Sequence, residues 1–239
     1  MGAYAYAGQY QQRPSPAQGG IIKRNWWQYY QQTPPRFDIV VESWDCAFKA
    51  TAQADFVVGQ VWGKVGANLY LLDQVRGRFS FTETQDAIRN LSAKWPQAHA
   101  KLVEDKANGP AVIDSMRNAV PGLIPVDPQG GKVVRAQAVS VDIEAGNVWL
   151  PDPTVNPWIT DFVEECAAFP NGAHDDQVDA MTQAIVYLGK EAGGVPCPMA
   201  FGSDMSEPDG QDLWEKVYAG IPLTESEIDR LPEKVDNFC

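Results

Sequence analysis

The sequence contains no CxxC pair. Its four cysteines, Cys46, Cys166, Cys197 and Cys239, are scattered, which argues against a zinc ribbon or a disulfide framework and fits a reducing compartment. No run approaches the roughly 18 uncharged apolar residues of a membrane span, and the N-terminus lacks the continuous apolar core of a secretory signal. No GxGxxG follows a strand and no GxSxG occurs. The nearest approach to a phosphate loop, Gly59 to Val65, is too short and lacks the Ser/Thr after its lysine, which argues against ATP hydrolysis by this chain. Positive charge is scarce: 19 basic against 31 acidic residues give −12 over 239 residues, a total that speaks on its face against a nucleic-acid partner.

The charge that is present is unevenly placed. Residues 1–36 hold Arg13, Lys23, Arg24 and Arg36 and no acid, whereas residues 190–239 hold eleven acids against four basic residues, a balance of −7. The first segment is rich in Tyr, Gln and Pro, with breakers at Pro14, Pro16, Gly19 and Gly20, and reads as an extended linker arm. Its Trp26, Trp27, Tyr29 and Tyr30 are too apolar to be left in water and call for packing on the domain or on a partner. The last segment, 190–239, reads as an acidic, mobile tail with one short helix near Leu213 to Tyr218. Residues 37–189 are left as the folded domain.

Within that domain FDIVVESW, FVVGQVWGKV and LYLLDQVRGR are β-rich, and the Gly66-Ala67-Asn68 turn joins the second and third as a hairpin. AKLVED (100–105) and LIPV (123–126) give a fourth and fifth strand. Helical spacing covers Thr82 to Trp95, where Pro96 ends it, then Pro110 to Val120, Lys132 to Ala145, Trp158 to Phe169 and Asp175 to Gly189. A short Val148-Trp149-Leu150 segment lies between the third and fourth helices. The order predicts an α/β fold: a mixed five-stranded sheet with the antiparallel hairpin at its edge, flanked by helices.

Three acidic features fall where strands or helices end, the usual place for a site in an α/β sheet. They are Asp45 after the first strand, Glu104-Asp105 ending the fourth, and Asp175, Asp176 and Asp179 opening the last helix. Asp176 and Asp179 are three apart and share a face, with Val178, Met181, Ile185 and Leu188 available for burial. Carboxylates gathered from three distant segments repel unless a cation lies among them, and hard oxygen donors without His or Cys select Mg²⁺ or Mn²⁺. Each feature also has a plain structural reading. Asp45 can be a turn former, Glu104-Asp105 part of a polar loop, and Asp175 a helix cap. His99 and His174 lack any zinc-site pattern. Lys132 and Arg135, after Gly130-Gly131, are candidate DNA phosphate contacts or a solvated helix face.

The strings SWDCAFK, LLDQVRGRFSFTET, VEDKANGPAVI, PQGGKVVRAQAVS, EAGNVWLP and AAFPNGAHDDQVDAMTQA, in this order over residues 37–189, resemble the nuclease domain of the large terminase subunit of tailed bacteriophages. GQYQQRPSP (8–16) resembles the segment that links that family's ATPase domain to its nuclease. The resemblance implies an RNase H-like fold and an endonuclease that cuts concatemeric viral DNA during genome packaging with two Mg²⁺ or Mn²⁺ ions. It implies metal ligands at Asp45, at Glu104 with Asp105 as the alternative, and at Asp176 and Asp179. It implies double-stranded DNA as substrate, with an ATPase motor on another chain, a small terminase subunit and a portal as partners, in the host-cell cytoplasm and without a membrane. Two other readings stand beside it: a non-catalytic packaging module that docks on motor or portal, and another RNase H-like nuclease such as a junction resolvase.

Overall fold

The computed structural model describes residues 20–46, 56–105 and 109–190. The chain divides into units 1–193 and 194–239; the linker-like string at 8–16 and the acidic tail beyond Lys190 lie outside the described residues. The elements run β1 (Gln28–Tyr30), β2 (Ile39–Asp45), β3 (Val57–Val65), β4 (Asn68–Gly77), α1 (Phe81–Lys94), β5 (Ala100–Glu104), α2 (Gly109–Met116), β6 (Leu123–Val126), α3 (Lys132–Glu144), β7 (Val148–Pro151), α4 (Trp158–Ala168) and α5 (Asp176–Lys190). Residues 24–26 add a 3-10 turn.

The seven strands form one sheet in the order β1-β7-β4-β3-β2-β5-β6. The mixed α/β architecture is the expected one, but the sheet has seven strands where the pattern predicts five, and the hairpin is interior. β7 pairs in parallel with the outer side of β4 through Leu69↔Val148 and Tyr70↔Trp149. β1 extends the sheet beyond it through Gln28↔Trp149 to Tyr30↔Pro151. Strands of three and four residues carry too few side chains for a period-2 pattern to register. Pairing supplied by neighbours, and not propensity, makes them strands.

Part of the segment read from the sequence as an arm packs on the sheet. Ile22 and Trp27 are core residues, 0% and 5% exposed, and Trp27 meets Phe162 edge-on at 5.7 Å. Tyr30 donates its hydroxyl to the Leu71 carbonyl at 2.7 Å. Burial of two such side chains is worth about 1.5–3 kcal/mol each, which ties residues 22–30 to the core.

Strand alternation divides the core between the two faces of the sheet. Val41, Trp62, Leu71 and Leu150 pack under α3, α4 and α5; Val40, Trp44, Val61 and Val103 pack under α1 and α2. Trp44 lies directly across from Gly59, where a Cβ would meet its ring at 2.4 Å, so only glycine leaves room for the indole. The helix ends follow local chemistry. Ser80 and Glu83 form a reciprocal capping box at the start of α1, which satisfies two backbone donors.

Candidate metal centre

β2 and β5 run parallel with Trp44 opposite Val103. The next position on each strand is Asp45 and Glu104, so the two carboxylates end adjacent strands side by side. Trp44 and Val103 face α1 and α2; alternation therefore turns Asp45 and Glu104 to the other face, under α5. Asp105, one position on, is exposed and donates its backbone N–H to the Val126 carbonyl at 2.8 Å. Alternation thus separates the two acids that the sequence leaves as alternatives. Cys46 lies close to both strand-end carboxylates: burial first, then the charges of Asp45 and Glu104, push its thiol up.

The third side of the site comes from α5. Along β3, Gln60 donates to the Gln177 carbonyl at 3.1 Å and Lys64 to the Leu188 carbonyl at 2.6 Å, so α5 runs with β3 and against β2. Ser43 donates to the Ala180 carbonyl at 2.7 Å. Two residues further along β2 is Asp45, which places it toward the first turn of α5, where Asp176 and Asp179 sit. Gln183 fixes the fit between strands: its Nε2 donates to Ser43 Oγ at 2.9 Å and to the Leu102 carbonyl at 3.3 Å. Glu104, Asp179 and Gln183 line one cleft of about 330 Å³, together with Asp127, Arg135 and Lys190.

Asp45, Asp176 and Asp179 are only 7%, 4% and 5% exposed, which a solvated helix face or an ordinary turn does not explain. Asp179 is held by two cations from α3: Lys132 Nζ at 2.5 Å from Oδ2 and Arg135 Nη2 at 2.9 Å from Oδ1. Lys132 also reaches Asp175 at 2.7 Å. The two residues read from the sequence as candidate DNA contacts thus both bind Asp179 of α5, and Lys132 also binds Asp175 just before it. Burial pushes the Asp179 carboxyl up, while the hydrogen bond and charge of Lys132 pull it down. For Lys132, burial works against the charged form, but hydrogen bonds to Asp175 and Asp179 outweigh it and hold the ammonium above the ordinary lysine range. His174, expected to be structural, stacks edge-on with Phe56 at 5.0 Å and lies 3.9 Å from Asp176.

The carboxylates of Asp45, Glu104, Asp176 and Asp179 are oxygen donors of the kind a hard divalent cation takes, and Lys132 and Arg135 already bring positive charge to Asp179. Among the described residues no three of His, Cys, Asp and Glu close on a common ligating point; with Asp179 turned onto Lys132 and Arg135, a divalent ion would replace those contacts. Sequence reasoning missed Glu165 and Gln183. Both sit mid-helix on faces where a polar residue ordinarily meets water, and no pattern distinguishes them.

The model of the terminase RNaseH-like domain family matches residues 42–188. No curated protein sequence matches the chain. The structure is similar to the large terminase nuclease of thermophilic phage G20c, with a TM-score of 0.52 and 14% identity over 70% of this chain and 98% of that one. The same G20c nuclease with bound magnesium gives a TM-score of 0.53 at 16% identity, covering 72% and 98%. The large terminase nuclease domain of bacteriophage SPP1, solved with bound Mn, gives 0.50 at 16% identity, covering 67% and 96%. With the strand-end acids, the α5 acids and the sheet from Glu42 of β2 through β7 in the matched span, which covers more than half of the chain, the chain belongs to the terminase RNaseH-like domain family.

Proposed function

We propose that this chain is a divalent-metal-dependent DNA endonuclease of phage genome packaging, cutting double-stranded concatemeric DNA in the host-cell cytoplasm. The observation that carries the reading is the side-by-side placement of Asp45 and Glu104 at parallel strand ends, facing the α5 turn of Asp176 and Asp179. Those four side chains would hold two Mg²⁺ or Mn²⁺ ions, which when bound supply a nucleophilic water and charge for the departing 3′ oxygen. Asp45 and Glu104 orient the site from rigid strands, and Asp176 and Asp179 close it from the helix. Lys132 and Arg135, once released from Asp179, are placed at the cleft to meet a DNA phosphate. An ATPase motor, a small terminase subunit and a portal would be its partners.

One observation favours the non-catalytic docking module: the Asp179 charge is paired by Lys132 and Arg135 without any metal. Plasmid cleavage separates the two. The nuclease reading expects nicking and linearisation with Mn²⁺ or Mg²⁺, none with EDTA, and a loss of at least 100-fold in Asp45→Ala, the scale on which misplaced reacting groups cost rate. Cleavage undiminished in Asp45→Ala would remove Asp45 from the site, and no cleavage under any metal condition would favour the docking module.

A further inference from the structure

Glu165 is a buried carboxylate of α4, 9% exposed, that the proposed site does not use. It accepts three hydrogen bonds of 2.7 Å, from the Gln177 backbone amide, from Gln177 Nε2 and from Arg76 Nη2. Gln177 is the second residue of α5, so its amide is one of the four that a helix start leaves without an intrahelical acceptor. A carboxylate at that end is favoured by both the free N–H and the helix dipole. Here the cap comes from a neighbouring helix 12 residues earlier.

The contact continues into the hairpin. Gln177 Oε1 accepts from Gln74 Nε2 at 2.8 Å, Gln74 Oε1 accepts from Gln60 Nε2 at 2.9 Å, and Gln60 Oε1 accepts from Trp62 Nε1 at 2.9 Å. Every amide in this chain is used at both ends, so each orientation is fixed. Arg76 stacks over Phe56 at 4.1 Å, and Phe56 meets His174 in the segment leading into α5. The first turn of α5 is thereby held in position and rotation by α4 and by β3 and β4. Asp176 and Asp179 lie one residue before and two after the anchored Gln177. Burying a charge is costly unless it is paired and hydrogen-bonded, so this arrangement is demanding of Arg76 and Gln177 alike.

We propose that Glu165 is a positioning residue: through Gln177, and backed by Arg76, it sets Asp176 and Asp179 of α5 against Asp45 and Glu104. The inference rests on the metal-dependent nuclease reading above.

The test compares wild type, Glu165→Gln and Glu165→Asp with Asp161→Asn, an exposed acid of the same helix, as control. Three quantities are read: amide exchange over residues 176–179, Mn²⁺ affinity by calorimetry, and kcat and KM for plasmid nicking. Glu165→Gln is expected to speed exchange at Gln177 and weaken Mn²⁺ binding about 10-fold to 100-fold, the usual cost of losing support behind a ligand. Its kcat should fall while KM for DNA holds; Glu165→Asp should recover part of both losses and Asp161→Asn should match wild type. If Glu165→Gln fails to fold, Glu165→Asp carries the same three readouts against wild type. Unchanged exchange, or wild-type Mn²⁺ affinity and kcat, in a Glu165 variant overturns the positioning role. A wild type that neither binds Mn²⁺ nor cuts DNA overturns the nuclease reading instead, and the inference falls with it even where exchange at Gln177 responds.

Discussion

Lys132 Nζ lies 2.5 Å from Asp179 Oδ2, so the first residue of α3 neutralises the acid that the account assigns to a metal ion. Arg135, one turn on, takes the other oxygen of the same carboxylate. On the proposed nuclease reading a metal ion and Lys132 would compete for one side chain, with consequences in both the free and the metal-bound protein.

Lys132→Ala should lower the metal-free melting temperature, since it leaves Asp175 and Asp179 to repel each other. Lys132 is half exposed, so solvent screening holds the loss to about 1 kcal/mol, or about 2–4 °C for a domain of this size. The same variant should gain more stability from Mn²⁺ than wild type does. Thermal shift with and without Mn²⁺ measures both effects; equal metal-induced shifts in the two proteins would show that Lys132 does not compete with the ion.

Gly109 fixes the end of β5. A Cβ there would fall 1.8 Å from the Glu104 carbonyl oxygen, so the backbone at the start of α2 sits against the strand end that carries the proposed ligand. Gly109→Ala must push the two apart, at a cost of about 1–3 kcal/mol for overpacking. Denaturant unfolding should register that loss, and Mn²⁺-dependent cleavage should fall more than the folded fraction does. A variant of wild-type stability would mean that the start of α2 yields and Glu104 stays put.

Glu42 predicts the pH dependence of stability. It is fully buried beneath α1. Burial raises its carboxyl above the ordinary value of 4.5, against hydrogen bonds from Trp44 and Ser92 and the charge of Lys101. Oε2 accepts from Trp44 Nε1 and Ser92 Oγ, while Oε1 has no hydrogen-bond partner. Between the unfolded value and the raised folded value the native state binds the proton and the unfolded chain does not, so stability falls as pH rises through that window. Glu42→Gln removes the titration. Melting temperatures from pH 4.5 to 8 should show the variant gaining on wild type as pH rises, and parallel curves would exclude Glu42 as the source.

Much of this was legible in the sequence, for identifiable reasons. Asp45 and Glu104 stand out because strand ends are short and an acid there interrupts an apolar run. Asp176 and Asp179 stand out because their spacing gives one helix face. What was not legible depends on partners far away in the chain. Val148 to Pro151 becomes a strand only because β4 and β1 flank it, and Ile22 and Trp27 join the core only because α4 is there to receive them. Glu165 looks like one of several acids in α4 until Gln177 and Arg76 are brought to it. Lys132 and Arg135 read from the sequence as phosphate contacts or a solvated helix face, and their pairing with Asp179 depends on α3 and α5 meeting in the fold.

The most direct test of the central claim is an anomalous difference map from crystals soaked in Mn²⁺. The account predicts peaks bounded by Asp45, Glu104 and the acids of α5, at oxygen distances of about 2.0–2.6 Å, with Lys132 withdrawn from Asp179. Manganese bound elsewhere, or no peak and Lys132 still on Asp179, would contradict it.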